Sequence, residues 1–456
     1  MAWRSPSILP FLALFAIAYS AQSSAAPPER LRIVIETDAG GDPDDEQSLV
    51  RFLLYANEWD VQGIIASRPA ARDGENKNPE RTGLGIVRAH LRAYAECFPN
   101  LRLHDPRFPD PKTLFERTAP GYPTNGGDGD EGVRLLLAAV DVPDERPIWF
   151  CNWGTDDASA ESSLKRALDL VRQTRGPEAY AKFKSRFRLS SADKFGAHTT
   201  SIDPPFALWV DTFRPPMDGK RWYHRFSALT ATAGGFDVNR DVRTGHGLLG
   251  ALYPLNTTHP QKEGDSMTFL YLIPTGMNDP QHPTWGSWAG RYGPNPDFPG
   301  RSFFWANQLD AWQGKTNRDN TLARWAIALQ HDFAARLDWC IADDFKKANH
   351  RPIAILNVDH TTNILELSAK SGDTVQLSSA GSSDPDGNAI TPTWIIYTEA
   401  GSFHGAVNLS AQTGQTTSFI APAVKHAATI HIILQLEDNG RPSLFAYRRA
   451  IISIQP

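Results

Sequence analysis

Residues 31–35 read Leu-Arg-Ile-Val-Ile, and the next ten read Glu-Thr-Asp-Ala-Gly-Gly-Asp-Pro-Asp-Asp. A β-rich apolar run without polar alternation suits a strand covered on both faces, which calls for a parallel sheet between two layers of helices. The following residues keep that rhythm. Leu49, Val50 and Phe52–Leu54 suggest a helix, Val61–Ala66 a strand, and Arg81–Cys97 a second helix. Pro147–Asn152 then reads as a strand and Ser159–Val171 as a helix. Alternating strands and helices predict an α/β, doubly wound, mostly parallel sheet whose sites form at the carboxyl ends of its strands.

The pattern loosens into Pro-, Gly- and Trp-rich loops over 204–299, and a long helix is expected over Asn320–Phe345. Arg351-Pro352 closes it. Beyond that point Thr, Ser, Val and Ile dominate, with short strands expected at 374–377, 393–397, 429–436 and 448–454. Such spacing predicts an all-β immunoglobulin-like sandwich. The chain of 456 residues therefore divides into an α/β domain over 27–350 and a sandwich over 352–456, in keeping with roughly 100–200 residues per domain.

Arg4 is the sole charge before Glu29; an apolar run from Ile8 to Tyr19 and small residues from Ser20 to Ala26 follow it. This is the pattern of a signal peptide over 1–26, so the mature chain is expected to be secreted or periplasmic. The run falls short of the ~20 apolar residues a span needs, and no second run of membrane length follows, so no membrane span is expected. A net charge of -5 argues against a nucleic-acid polymer as partner. Cys97, Cys151 and Cys340 allow at most one internal disulfide and read as buried small apolar residues.

The chemistry gathers in the loop after the first strand, where Asp38, Asp42, Asp44 and Asp45 stand within eight positions. Helix capping uses one or two aspartates. Four repel one another, by about 1 kcal/mol per close pair in water and more when buried. A cation would remove that repulsion, and oxygen-only ligands favour Ca²⁺ or Mg²⁺. Trp285, Trp288, Trp305 and Trp312 lie close in sequence, and such rings either stack on sugars or fill cores. The setting Trp-Gly-Ser-Trp-Ala-Gly predicts that Trp285 or Trp288 lines the mouth of the acidic pocket. Thr124–Gly132 is glycine-rich without the Lys-Ser/Thr of a P-loop and reads as an active-site loop. Asp384-Pro-Asp-Gly-Asn388 reads as a turn.

The stretch Ile-Glu-Thr-Asp-Ala-Gly-Gly-Asp-Pro-Asp-Asp resembles the aspartate motif of nucleoside hydrolases, Asp-x-Asp-Pro-Gly-x-Asp-Asp. The wider chain is similar to the secreted cellulose-binding, nucleoside-hydrolase-like proteins. The further signs are Glu263-Gly-Asp-Ser266 with Phe269–Pro274, then His282–Tyr292, then Ser383–Asn388, which together span about 30–455. The resemblance implies a nucleoside-hydrolase-like fold and an aspartate-bound Ca²⁺. It implies Asp38 as metal ligand and general base, and Asp45 as second ligand. The carbonyl of Thr155 in Asn152-Trp-Gly-Thr155 completes the shell, with Asp265 as the distal carboxylate. Asp44, Asp42 and Asn152 fall to the substrate. Two extra residues near Asp42-Pro43, and Glu36 in place of the first Asp, depart from the hydrolase pattern. The hydrolases' His-Asp acid is missing as well, leaving His246 and His282 as substitutes. Two functions are expected from this: an exported hydrolase of N-glycosidic or related glycosyl bonds, or a non-enzymatic protein that binds cellulose or another carbohydrate on the same fold. The partner is accordingly a carbohydrate or nucleoside-like small molecule.

Overall fold

The computed structural model describes residues 29–41, 43–71, 78–121, 130–153, 162–191, 204–210, 226, 235–255, 260–295, 299–301 and 304–456. The segment expected to be a signal peptide, Asp42, Thr155 and most of the 124–132 loop lie outside them. Eight strands form one sheet: β1 (Leu31–Thr37), β2 (Trp59–Ala66), β3 (Thr118–Pro120), β4 (Ile148–Trp153), β5 (Phe187–Ser191), β6 (Ala207–Trp209), β7 (Tyr292–Pro294) and β8 (Phe304–Asn307). Their order is β3-β2-β1-β4-β5-β6-β8-β7, all parallel except the edge pair β7–β8. The order reverses between β1 and its neighbours β2 and β4. That is the switch point where the loops after the strands diverge and leave a crevice.

Both faces of β1 are covered. Ile33 and Ile35 join one core with helices α1 (Asp44–Leu54) and α2 (Gly83–His104). Val34 joins a second core with α4 (Glu131–Asp141) and α5 (Ser163–Ser185), which follow the short α3 (Pro111–Glu116). The side chains of β1 thus alternate between two apolar layers, the reason its sequence lacks polar alternation. The first core also takes in the short helix α6 (Ser266–Leu270) and α7 (Ala326–Trp339). The helix expected over 320–345 is broken: a single turn at Asn320–Ala323 ends before Trp325, and α7 follows it and ends at Trp339.

A hairpin of β9 (Asp310–Trp312) and β10 (Lys315–Asn317) precedes α7, and after α7 the chain enters a β-sandwich. One sheet is β11-β16-β15-β13 and the other β12-β14, with β11 (Leu365–Lys370), β12 (Thr374–Ser378), β13 (Ile390–Ile396), β14 (Thr416–Ile420), β15 (Ala428–Asp438) and β16 (Phe445–Gln455). All pairs are antiparallel except β11–β16. Among the described residues no helix is long and apolar enough to cross a membrane.

The sandwich adds Tyr397, Ile433, Phe445 and Tyr447 to the first core. Polar seams run beside them. Asp310 receives Arg291 (2.7 Å), Arg324 (3.2 Å) and the Tyr397 hydroxyl (2.6 Å). Asp332 on α7 receives Arg336 (3.1 Å), Arg351 (2.5 and 2.6 Å) and the Tyr55 hydroxyl (2.5 Å). Burial alone would raise the Asp332 pKa, but Arg351 and Arg336 outweigh it and hold the carboxyl down to about 2. Stability from this group is therefore present above the unfolded-state value near ~4 and is lost as pH falls towards 2. Asp332→Asn is expected to cost about 3–5 kcal/mol at pH 7, because it strands buried guanidinium groups. The check is the denaturant midpoint, and the gap between wild type and variant should close from pH 4 to pH 2.

Candidate functional site

The loop leaving β1 is built by its own hydrogen bonds. The Thr37 hydroxyl accepts from the Ala39 N–H (3.1 Å) and donates to an Asp45 carboxylate oxygen (2.5 Å). Gly41 N–H returns to the Asp38 carbonyl (3.1 Å). Gly40 turns the chain at φ +96°, where a side chain would be strained and its Cβ would meet Ala71 at 3.2 Å. Helix α1 then starts at Asp44, so that Asp44, Asp45 and Glu46 fill its first turn.

Asp265 arrives from far along the chain, and two anchors fix it. Glu263, at φ +32° and fully buried, receives Arg51 on α1 through two bonds (2.5 and 3.0 Å). It also receives the hydroxyls of Tyr253 (2.5 Å) and Ser266 (2.8 Å). On the other side, Thr268 ties α6 to β4 and β5: Trp153 donates to its hydroxyl (2.8 Å), and Ser190 to its carbonyl (3.0 Å). The Thr268 hydroxyl in turn donates to the Asp265 carbonyl (2.7 Å).

Asp44, Asp45 and Asp265 thereby bring one carboxylate oxygen each within 4.8 Å of one another. Burial, then the neighbouring charges of Asp265 and Asp38, push the Asp45 carboxyl well above the ordinary carboxylate range. Such a group takes a proton or shares a cation. The oxygen-only donor set fits a hard divalent ion such as Ca²⁺. Lys262 stands 3.8 Å from Asp44 at the rim.

The expectation made Asp38 a ligand beside Asp45 and left Asp44 to the sugar. The carboxylates that converge are 44, 45 and 265. Asp38 adjoins Asp45 but is ion-paired with Arg68, which also donates to the Asp38 carbonyl (2.8 Å). Asn152, the penultimate residue of β4, is in register with Glu36 and reaches Ser191 (3.4 Å). The two tryptophans pack towards the sandwich. Trp288 is 1% exposed and packs edge-on against Tyr447 of the sandwich. Trp285 is half-buried, stacks on His282 at 4.1 Å and meets His431 of the sandwich edge-on. Their glycine neighbours admit the sandwich rather than a sugar: a Cβ on Gly286 would stand 2.8 Å from the Tyr397 hydroxyl. His246 pairs with Asp338 (3.1 Å) and His282 with Asp279 (2.8 Å).

Residues that sequence reasoning passed over are Arg68, Lys262 and the Arg51–Glu263 anchor. Arg68 stands two positions past the end of β2, beside the switch point, and that position is a signal the sequence carries. Arg51 and Glu263 are 212 residues apart, and no local pattern joins them.

A family model described as cellulose-binding Sde182, nucleoside hydrolase-like domain, matches residues 32–292. A second, the C-terminal domain of cellulose-binding protein Sde0182, matches 374–454. The chain is 31% identical to a solved nucleoside hydrolase-related hypothetical protein from Saccharophagus degradans that is associated with carbohydrate metabolism. That alignment covers 93% of this chain and 100% of that one, at a TM-score of 0.72. The solved PKD domain from KIAA 1837 protein is 17% identical over 20% of this chain and 81% of its own, at a TM-score of 0.16. No curated protein matches.

An acid whose pKa is raised in the fold costs stability as pH rises through that value. Asp45→Asn should therefore raise the melting temperature in chelator at neutral pH, while abolishing the rise that millimolar Ca²⁺ brings to the wild type. Thermal unfolding with and without chelator reads both effects.

Proposed function

Because the chain belongs to the family of cellulose-binding, nucleoside-hydrolase-like proteins, we propose that it is an exported, Ca²⁺-dependent hydrolase of N-glycosidic or related glycosyl bonds. The observation that carries this reading is the convergence of Asp44, Asp45 and Asp265 at the carboxyl end of β1, with Asp45 buried. Export rests on the apolar run of Ile8–Tyr19 and the small residues after it.

When bound, Ca²⁺ supplies the charge that offsets these carboxylates and orients water and sugar hydroxyls. The chain's own residues do the rest. Thr37 holds Asp45 by its hydroxyl, and the Arg51–Glu263 anchor holds the Asp265 segment. Asp38, next to Asp45 and part-exposed, is the base that takes a proton from water. To do so it must first exchange Arg68 for water. Departure of the leaving group builds positive charge on the sugar ring, which the carboxylates of the pocket favour.

The ion pair of Arg68 with Asp38 supports a second reading, a carbohydrate binder with cellulose among its ligands, in which the base stays occupied. Incubation with nucleosides and with β-glucan oligomers separates the two. Release of base or reducing sugar, stopped by chelator and lowered about 10²–10⁴-fold by Asp38→Asn, supports the hydrolase. Cellulose retention without release, unaltered by Asp38→Asn, moves the binder into first place.

A further inference from the structure

Cys97 lies in the fourth turn of α2, and Cys340 directly follows α7. Both are buried. The two side chains meet over Gly247. A Cβ built there would stand 3.4 Å from the Cys97 sulfur and 3.5 Å from the Cys340 Cβ. One α2 turn further on, the Asn100 amide donates to the Cys340 carbonyl (2.9 Å), which fixes the helix against this corner. Cys151 has another setting altogether, on β4 with its thiol directed to the Thr268 carbonyl (3.6 Å).

We propose that Cys97 and Cys340 are a disulfide-forming pair that ties α2 to the end of α7 when the folding chain meets a disulfide oxidant, with Cys151 as the thiol left over. A disulfide needs the two Cβ atoms about 3.5–4.5 Å apart, and the two contacts at Gly247 put the Cys97 sulfur within about 7 Å of the Cys340 Cβ, a gap that side-chain rotation and a small shift of the chain end after α7 can close. The thiol chemistry agrees. A hydrogen bond from Cys340, outweighing burial and helped by the backbone of Leu249 and Leu248, draws the Cys97 thiol down to about 7. The same contact, with burial, pushes Cys340 up. Where the two thiols have met but the corner is not yet sealed, Cys97 is thus the attacking thiolate. With oxidised glutathione as oxidant, the Cys97 thiolate attacks its S–S bond, forming a mixed disulfide and releasing one glutathione thiol. Cys340 then loses its proton and attacks the Cys97 sulfur, releasing the second. The two electrons and two protons of the protein thiols end on the two glutathione molecules.

Both sulfurs are sealed once the fold is complete, so closure belongs to folding in an oxidising compartment. The reduced, unfolded full-length chain is refolded in a mixture of reduced and oxidised glutathione. It is then denatured, capped with iodoacetamide and peptide-mapped. The same count is made on protein secreted through an export route and never unfolded. The expected result is a linked Cys97–Cys340 peptide pair, one capped cysteine at Cys151, and a denaturant midpoint that falls on reduction. Linkage of 97 to 340 in either sample supports the pair. Three capped cysteines in both samples, or a bridge that includes Cys151, overturns it, and the three thiols are then core residues only.

Discussion

The ion pair between Arg51 and Glu263, with neither side chain exposed, is the contact on which the acidic site depends. Arg51 is on α1, the helix that carries Asp44 and Asp45; Glu263 is two residues before Asp265. Joining them sets the distance between two otherwise unrelated carboxylate sources. Burying two charges is costly, and it becomes tolerable only where geometry is good and the remaining lone pairs are satisfied. Here Tyr253, Ser266 and Gln261 complete the Glu263 carboxylate. Gln330 accepts from Arg51, whose guanidinium lies 3.7 Å from the Phe333 ring centroid. The positive φ of Glu263 belongs to the same arrangement, since non-glycine residues hold such a conformation only where the surroundings over-determine it.

With that frame set, the pocket is a contest among cations for one group of carboxylates. Arg68 and Lys262 are the chain's own entries, Arg68 paired with Asp38 and Lys262 standing 3.8 Å from Asp44. Asp45 and Asp265 lie deeper, at 3% and 4% exposure. A guanidinium tethered to β2 satisfies Asp38 but is too large to sit among three oxygens within 4.8 Å. A bare divalent ion fits there. Under the reading proposed above, the protein's own charges and a metal would occupy different parts of the same acidic group, and displacing Arg68 from Asp38 would be a step separate from filling the inner site.

The sequence shows what is local and hides what is distant. The strand, the Gly-Asp turn and the helix start all lie within Leu31–Leu54, so short-range patterns reveal β1, the site loop and α1 together. The alternation that follows reveals the parallel sheet, and Asp265 is reached through the resemblance. Arg51–Glu263 and Arg68–Asp38 are invisible by the same logic, because a charged residue in a helix or at a strand end reads as solvated until its partner is known. The glycines near Trp285 and Trp288 show the opposite failure. A glycine-rich setting lets a ring stand exposed and equally lets another chain segment approach, and only the packing decides. Here the sandwich approaches: a Cβ on Gly276 would lie 2.1 Å from the Tyr447 carbonyl oxygen.

That approach changes how the second part of the chain relates to the first. Arg449 on β16 donates to the carbonyls of Met277 (2.5 Å) and Trp285 (2.7 Å) and lies 3.0 Å from His431 Nδ1. Burial, with Arg449 adding to it, lowers the His431 pKa to about 3, so the ring is neutral and its Nδ1 accepts from the guanidinium. A buried arginine satisfied by carbonyls and a neutral imidazole, with no carboxylate among these partners, is stable only while both surfaces stay together. The Asp310 seam reaches the sandwich through the Tyr397 hydroxyl, and the Asp332 seam reaches the domain junction through Arg351. A surface built this way resembles a domain core cut in two more than a docking face between separable modules. Trp285 and Trp288 are thus framework that seats the sandwich, which leaves the carboxylate pocket at the end of β1 as the place where the proposed function puts its substrate.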